Sequence, residues 1–268
     1  MRDRGTVLGV YVAIVTALAL LPIVIVLLIS FTSSAFIVFP PPALSLKWYN
    51  SVLTDRQWTD SLWLSLQIAT LVTTFSLVLG VPASLALRSS TGALAAAAQT
   101  LFLSPLMVPT IVIGLSLLRV FNMMDVAASA LSVALGQTIL AMAYVVRLVL
   151  ASLAGVDPRL ESAAAIHGSP PWRTFWLVTF PLIRHGVIVG GLFGFIISLD
   201  DVNIALLLSD IRTSPLSVTL FSYIEQNADP LGAAVSSLLV IIAVALMAVA
   251  DRIVGIGWLF GIRTARGD

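Results

Sequence analysis

The 268-residue sequence contains no cysteine. That absence excludes a disulfide framework, a thiolate metal site and a cysteine nucleophile. Histidine is scarce as well: His167 and His185 are the only two. A multi-histidine metal centre therefore cannot come from this chain alone. Charged residues make up 10% of the sequence, against about 25% in a soluble domain. The net charge of +1 leaves no basic stripe of the kind a nucleic acid requires. No Gly-x-x-x-x-Gly-Lys-Ser/Thr run occurs, so the chain has no visible loop for cradling ATP phosphates. No periodic repeat is present, and the alanine run Ala95 to Ala98 is simply a good helix former. What the chain does have is apolar surface, with 59% hydrophobic residues. A chain this apolar cannot cover a water-facing exterior with polar groups and must be integral to a membrane.

Six apolar stretches, each near the ~20 residues needed to cross hydrocarbon, predict spans at about 7–29, 61–87, 98–120, 128–150, 185–208 and 231–250. The first is too long for the apolar core of a cleaved signal peptide, and Pro22 within it is allowed as a kink. Residues 31–60 are mixed, with Pro40-Pro41-Pro42 and then Lys47-Trp48-Tyr49, whose aromatic rings suit a membrane–water interface. The third span contains Pro105 and Pro109, which remove backbone donors and bend it. Residues 209–230 read as a polar connection with several acids. Six spans put both termini on one side. Arg2, Arg4, Arg88, Arg147, Arg159, Arg173, Arg184, Arg252, Arg263 and Arg266 fall on that side, and only Lys47, Arg56, Arg119 and Arg212 on the other. The excess of positive charge predicts that the termini are cytoplasmic.

The stretch 157–184 is the longest polar-bearing interval between two apolar runs. Asp157 is a helix cap and Pro158 a first-turn residue. Gly168 follows about three turns later, where a left-handed stop costs least. Pro170 and Pro171 open a second short helix carrying Trp172, Phe175, Trp176 and Phe180 at helical spacing. Two short helices meeting at a glycine make a knob suited to a groove on a partner.

This run resembles the cytoplasmic coupling loop of permease subunits from binding-protein-dependent ABC importers. That loop reads Glu-Ala-Ala, three residues, Gly, nine residues, Ile-x-Leu-Pro. Aligned on Gly168, the far half matches at Val178-Thr179-Phe180-Pro181 and the near half at Ala163 and Ala164. The family's Glu falls on Ser162, with Glu161 one residue earlier. One helical step is about 100°, so Glu161 does not replace it on the same face. The resemblance implies ATPase-coupling roles for Glu161, Ser162, Ala163, Ala164, Gly168 and Pro181. Arg147, Arg159, Arg173 and Arg184 either reach acidic groups on that partner or set topology beside lipid headgroups. His167 reads as a C-terminal helix residue favoured by the dipole.

Asp200-Asp201 lies within the apolar run 192–208. A carboxylate in hydrocarbon costs at least ~2.5–3.5 kcal/mol, so two adjacent ones do not persist facing lipid. Either at least one faces a watery passage and attracts a cationic solute, or the pair caps and tethers neighbouring helices. Asn203 is a third, weaker passage candidate. Ser198-Leu199-Asp200-Asp201-Val202 is similar to the fifth-span segment of the second permease of spermidine/putrescine importers. Leu21-Pro22-Ile23, Ser30-Phe31-Thr32-Ser33-Ser34, Lys47-Trp48-Tyr49, Ser214-Pro215-Leu216 and Phe221-Ser222-Tyr223 agree in order. The same family carries opines, aminophosphonates and other small polar solutes. A polyamine passage would pair carboxylates with aromatic or aliphatic walls. Tyr223, Glu225, Asp210 and Asp229 are either solvated loop residues or contacts for the solute or its binding protein.

The resulting expectation is one all-α integral membrane permease domain over 1–268, with six spans. The resemblance implies the type I ABC importer permease fold in a bacterial inner membrane. It also implies a second permease subunit, two ATP-binding subunits that hold ATP and Mg, and an external solute-binding protein. No cofactor is expected in this chain. The rival is an intramembrane enzyme using Asp200 and Asp201 as acid/base or metal-binding carboxylates. A passive channel would leave the coupling loop without a purpose.

Overall fold

Where lipid replaces water, backbone N–H and C=O groups must pair within the segment, and long apolar runs become helices. A computed structural model describes residues 2–210 and 212–254 of the chain; the predicted charges Arg263 and Arg266 lie outside them. Among the described residues the regular secondary structure is helical, apart from an isolated bridge between Thr32 and Leu44. The helices are α1 (Arg2–Ser30), α2 (Lys47–Thr54), α3 (Arg56–Ser89), α4 (Ala93–Leu103), α5 (Thr110–Met123) and α6 (Ala130–Leu153). They continue as α7 (Pro158–Ile166), α8 (Pro171–Thr174), α9 (Phe180–Asp200), α10 (Asn203–Leu208), α11 (Leu216–Gln226) and α12 (Leu231–Val254).

Among the described residues five helices are long and apolar enough to cross a membrane, or six if the bent pair α4–α5 is one span. That pair turns through 103° at the Pro105–Pro109 break, so the third span is sharply broken rather than merely bent. The fifth span is displaced from its predicted bounds. It runs from Pro171 to Asp200, and residues 203–208 form the separate helix α10. A π turn at Phe175–Thr179 joins α8 to α9, with the Phe180 N–H reaching the Phe175 carbonyl five residues back. Pro181 follows directly. Its missing N–H would leave a gap in a regular helix, and the wider turn absorbs the mismatch without ending the rod. The coupling stretch therefore merges into the fifth span well before residue 184. The polar connection 209–230 also contains a helix, α11, whose residues Leu216 to Leu220 are buried.

The described residues divide into two units, one drawn from residues 2–60 and 219–242, the other from residues 61–210, 212–218 and 243–254. In the first, Trp58 meets Tyr223 edge-on with ring centroids 5.2 Å apart, and Ser30 Oγ lies 2.7 Å from the Tyr49 hydroxyl. In the second, α6 and α9 pack along their length. They approach closely at two glycines: a Cβ on Gly186 would collide with Ser152 Oγ, and one on Gly190 would lie 3.2 Å from the Val145 Cα. Two apolar clusters fill this unit. Ile68, Val72, Val133, Ala141, Ile204 and Leu208 form one, and Val81, Val145, Val149, Leu153 and Ile183 the other.

Candidate functional site

The knob begins as the residue types require. The Asp157 side chain accepts from the Arg159 N–H at 2.9 Å, capping α7, and Pro158 occupies the first turn. At the other end Gly168 adopts φ +76°. The Gly168 N–H donates to Ala165 O at 2.9 Å and the Ser169 N–H to Ala164 O at 3.1 Å. This pair of bonds is a Schellman stop, which favours glycine because a side chain in the left-handed region is strained. Nothing lies within 4 Å of where a Gly168 Cβ would sit. The elbow's tip is open space, available to a partner.

The predicted coupling residues divide between outside and inside. Ser162, Ala163, His167, Gly168 and Pro181 are exposed, as are Arg147, Arg159, Arg173 and Arg184, while Ala164 is half-buried. Trp172 and Trp176 are also exposed. Trp176 stacks at an angle on Phe175 and Phe180, with 5.0 Å between centroids in each case. Glu161 instead turns inward. Its Oε1 meets Arg88 Nη1 at 3.1 Å and accepts from Thr179 Oγ1 at 2.7 Å. Arg88 and Thr179 enter the sequence reading only as a topological charge and a motif position; their meeting requires the fold.

About 30 Å away, the length of α9 at ~1.5 Å per residue, lie the two aspartates. Asp201 is buried. Its Oδ2 accepts from the Ile204 and Ala205 N–H groups at 3.1 and 3.2 Å and from Gln137 Nε2 at 3.1 Å. Gln137 Oε1 in turn accepts from Ser198 Oγ at 2.6 Å, and the Asp201 carbonyl accepts from Ser217 Oγ at 3.1 Å. Asp201 thus caps α10 and ties it to α6, the tethering arrangement. All three side-chain bonds fall on Oδ2, so that oxygen is committed within the chain. Asp200, the last residue of α9, is exposed. Asn203 is exposed too and donates from Nδ2 to Thr110 Oγ1 at 2.7 Å, bridging the start of α10 to the start of α5. Gln137 is absent from the sequence expectation, where an amide inside an apolar run was the available signal, and Ser198 enters it only as a motif position.

Of the remaining candidates, Tyr223, Glu225 and Asp229 belong to the other unit and Asp210 to the same unit as the aspartate pair. The Tyr223 hydroxyl donates to Asp229 Oδ2 at 2.6 Å. Burial, and then that bond, push its pKa well above the usual phenol value. Asp229 Oδ1 also accepts from the Leu231 N–H at 3.0 Å, starting α12. Tyr223 is therefore half-buried and engaged, whereas Glu225 is exposed on α11. Asp210 organises its loop by accepting from Thr213 Oγ1 at 2.9 Å and the Arg212 N–H at 2.7 Å. The Thr213 hydroxyl, foremost, holds its pKa below the usual carboxylate range. Among the described residues no group of three His, Cys, Asp or Glu side chains could hold a metal ion. Asp200 and Asp201, one exposed and one capped, do not form the facing pair that acid/base work needs.

Residues 76–256 match the family described as the binding-protein-dependent transport system inner membrane component. The putrescine transport system permease protein PotI of Escherichia coli (strain K12) is 29% identical over 221 residues, covering 78% of this chain and 76% of that protein. The molybdenum transport system permease protein ModB of Mycobacterium tuberculosis is 30% identical over 235 residues, covering 79% and 87%. A crystal structure of a bacterial alginate ABC transporter, in complex with its alginate pentasaccharide-bound periplasmic protein, superposes with a TM-score of 0.73. The identity is 14%, over 95% of this chain and 96% of that one. The chain has the all-helical type I importer fold, and it belongs to the binding-protein-dependent family of inner-membrane permeases, the membrane-spanning, non-enzymatic subunits of ABC importers.

Proposed function

We propose that this chain pairs with a second permease subunit to enclose the translocation passage for a small, polar, cationic solute such as a polyamine. Two ATP-binding subunits, holding ATP and Mg, would dock at the elbow around Gly168, and an external solute-binding protein would deliver the solute. The termini and the elbow lie in the cytoplasm, as the arginine distribution argues. The observation that carries the reading is the left-handed, Schellman-stopped turn at Gly168 with empty space before it. It is an exposed, hydrogen-bonded turn on a chain whose family imports with external energy. Closure of the ATPases would move this turn and shift the passage between inward-open and outward-open states.

Two observations favour a cationic solute: the likeness to a putrescine permease, and the exposed Asp200 at the end of the fifth span. Opines and aminophosphonates, which also carry amines, fit the same features. A second reading, an oxyanion, is supported by the 30% identity to the molybdenum permease. Uptake of labelled putrescine by vesicles carrying the whole complex separates these. Competition by spermidine supports the polyamine reading, whereas competition by molybdate alone overturns it. Gly168→Asp should insert normally and abolish ATP-driven uptake, because a charged side chain at φ +76° spoils both turn and contact surface. Unimpaired uptake would remove the docking role.

A further inference from the structure

Helix α7 is joined to its neighbours by the chain at two places, the Asp157 corner after α6 and the Gly168 elbow before α8. Side chains make a third attachment. Arg88 lies in the last turn of α3, a span with no direct chain connection to α7. Its guanidinium divides between two acceptors: Nη1 meets Glu161 Oε1 at 3.1 Å, and Nη2 donates to the Val156 carbonyl at 3.0 Å. The same Glu161 oxygen accepts from Thr179 in the π turn at 2.7 Å. One carboxylate oxygen thus links α3, α7 and the base of α9. The Arg88 and Glu161 side chains are 19% and 34% exposed, so the pair is partly shielded from solvent and salt. It forms one wall of a cleft of about 540 Å³ behind the knob, lined also by Leu85, Ala165 and Phe175.

We propose that Arg88 and Glu161 are a positioning pair that makes α3 travel with α7, so that a displacement entering at the elbow reaches two spans rather than α9 alone. The idea rests on the coupling role proposed for Gly168. A helix attached only by its two ends can pivot about them; a fork that grips both the helix and the Val156 turn before it removes that freedom. Arginine suits the task because its planar fork reaches two acceptors at once, which the single ammonium of lysine cannot do with the same geometry. Lysine nevertheless keeps the positive charge that sets topology.

The absence of cysteine allows spin labels at Ser90→Cys and His167→Cys in the full complex with its ATPase subunits. The label separation is measured without nucleotide and with a non-hydrolysable ATP analogue. With Arg88 and Glu161 intact, the separation should hold within about 1–2 Å, the scale of small helix shifts. In Arg88→Lys and in Glu161→Gln it should change by more than that on nucleotide binding. A merely structural tie would alter the nucleotide-free distance without changing the response to nucleotide. Equal responses with and without the pair overturn the proposal. Should Glu161→Gln fail to assemble, Arg88→Lys decides. A label at His167 that is not immobilised when ATPase subunits are added overturns the docking role itself. Immobilisation with equal distance responses overturns only the positioning pair.

Discussion

Asp200 and Asp201 show how little residue type alone says about role. Both are carboxylates at the end of one apolar helix, yet one is exposed and the other caps α10. The cost of burying charge made the pair conspicuous in the sequence. Which of the two was committed was not legible, because the deciding partner, Gln137, is 64 residues away. Asp201→Ala should lower stability by roughly 2–4 kcal/mol, combining a lost cap with an unsatisfied buried amide, seen as a lower melting temperature in detergent. Asp200→Asn should leave that temperature unchanged and weaken uptake of cationic solutes. A melting shift for Asp200→Asn equal to that of Asp201→Ala would contradict the division. Glu161 carries the same lesson. Its position one residue before the family's Glu places it on the inner side of α7, where Arg88 and Thr179 take it up.

Helices were recognisable from their apolar runs, and their ends less so. Proline marked the break between α4 and α5, since two missing N–H groups four residues apart cannot be hidden. No glycine or proline marks the break after Asp200; it exists because Asp201 offers its side chain to the Ile204 and Ala205 N–H groups, replacing the helical bonds it interrupts. Conversely, Pro181 looks like a terminator and is passed over, because the π turn before it re-phases the backbone. The pairing of α6 with α9 depends on glycine at the contact. Gly186→Val should force the two helices apart at Ser152 and Leu148, costing about 1–3 kcal/mol or more. A melting temperature matching the unsubstituted protein would show that α6 and α9 are not closely seated at Gly186.

For the molecule as a whole, the strongest expectation concerns sidedness. Single cysteines introduced at Ser90 and at Ser169 should react with a membrane-impermeant thiol reagent only from the cytoplasmic face, and one at Asn227 only from the outside. Reaction of Ser169→Cys from outside would reverse the proposed topology and with it the docking of an ATPase at the elbow. Membrane residence, span number and the arginine bias are properties of composition summed along the chain, and lipid enforces them wherever the segments pack. The elbow was equally readable, since its cap, first-turn proline and glycine stop all act within about three turns of one another. Commitment of Asp201 to Gln137, capture of Glu161 by Arg88, and the close seating of α6 on Gly186 and Gly190 were not readable in advance. Each joins groups from separate helices, and no local propensity specifies which distant side chain will arrive opposite once the helices have packed.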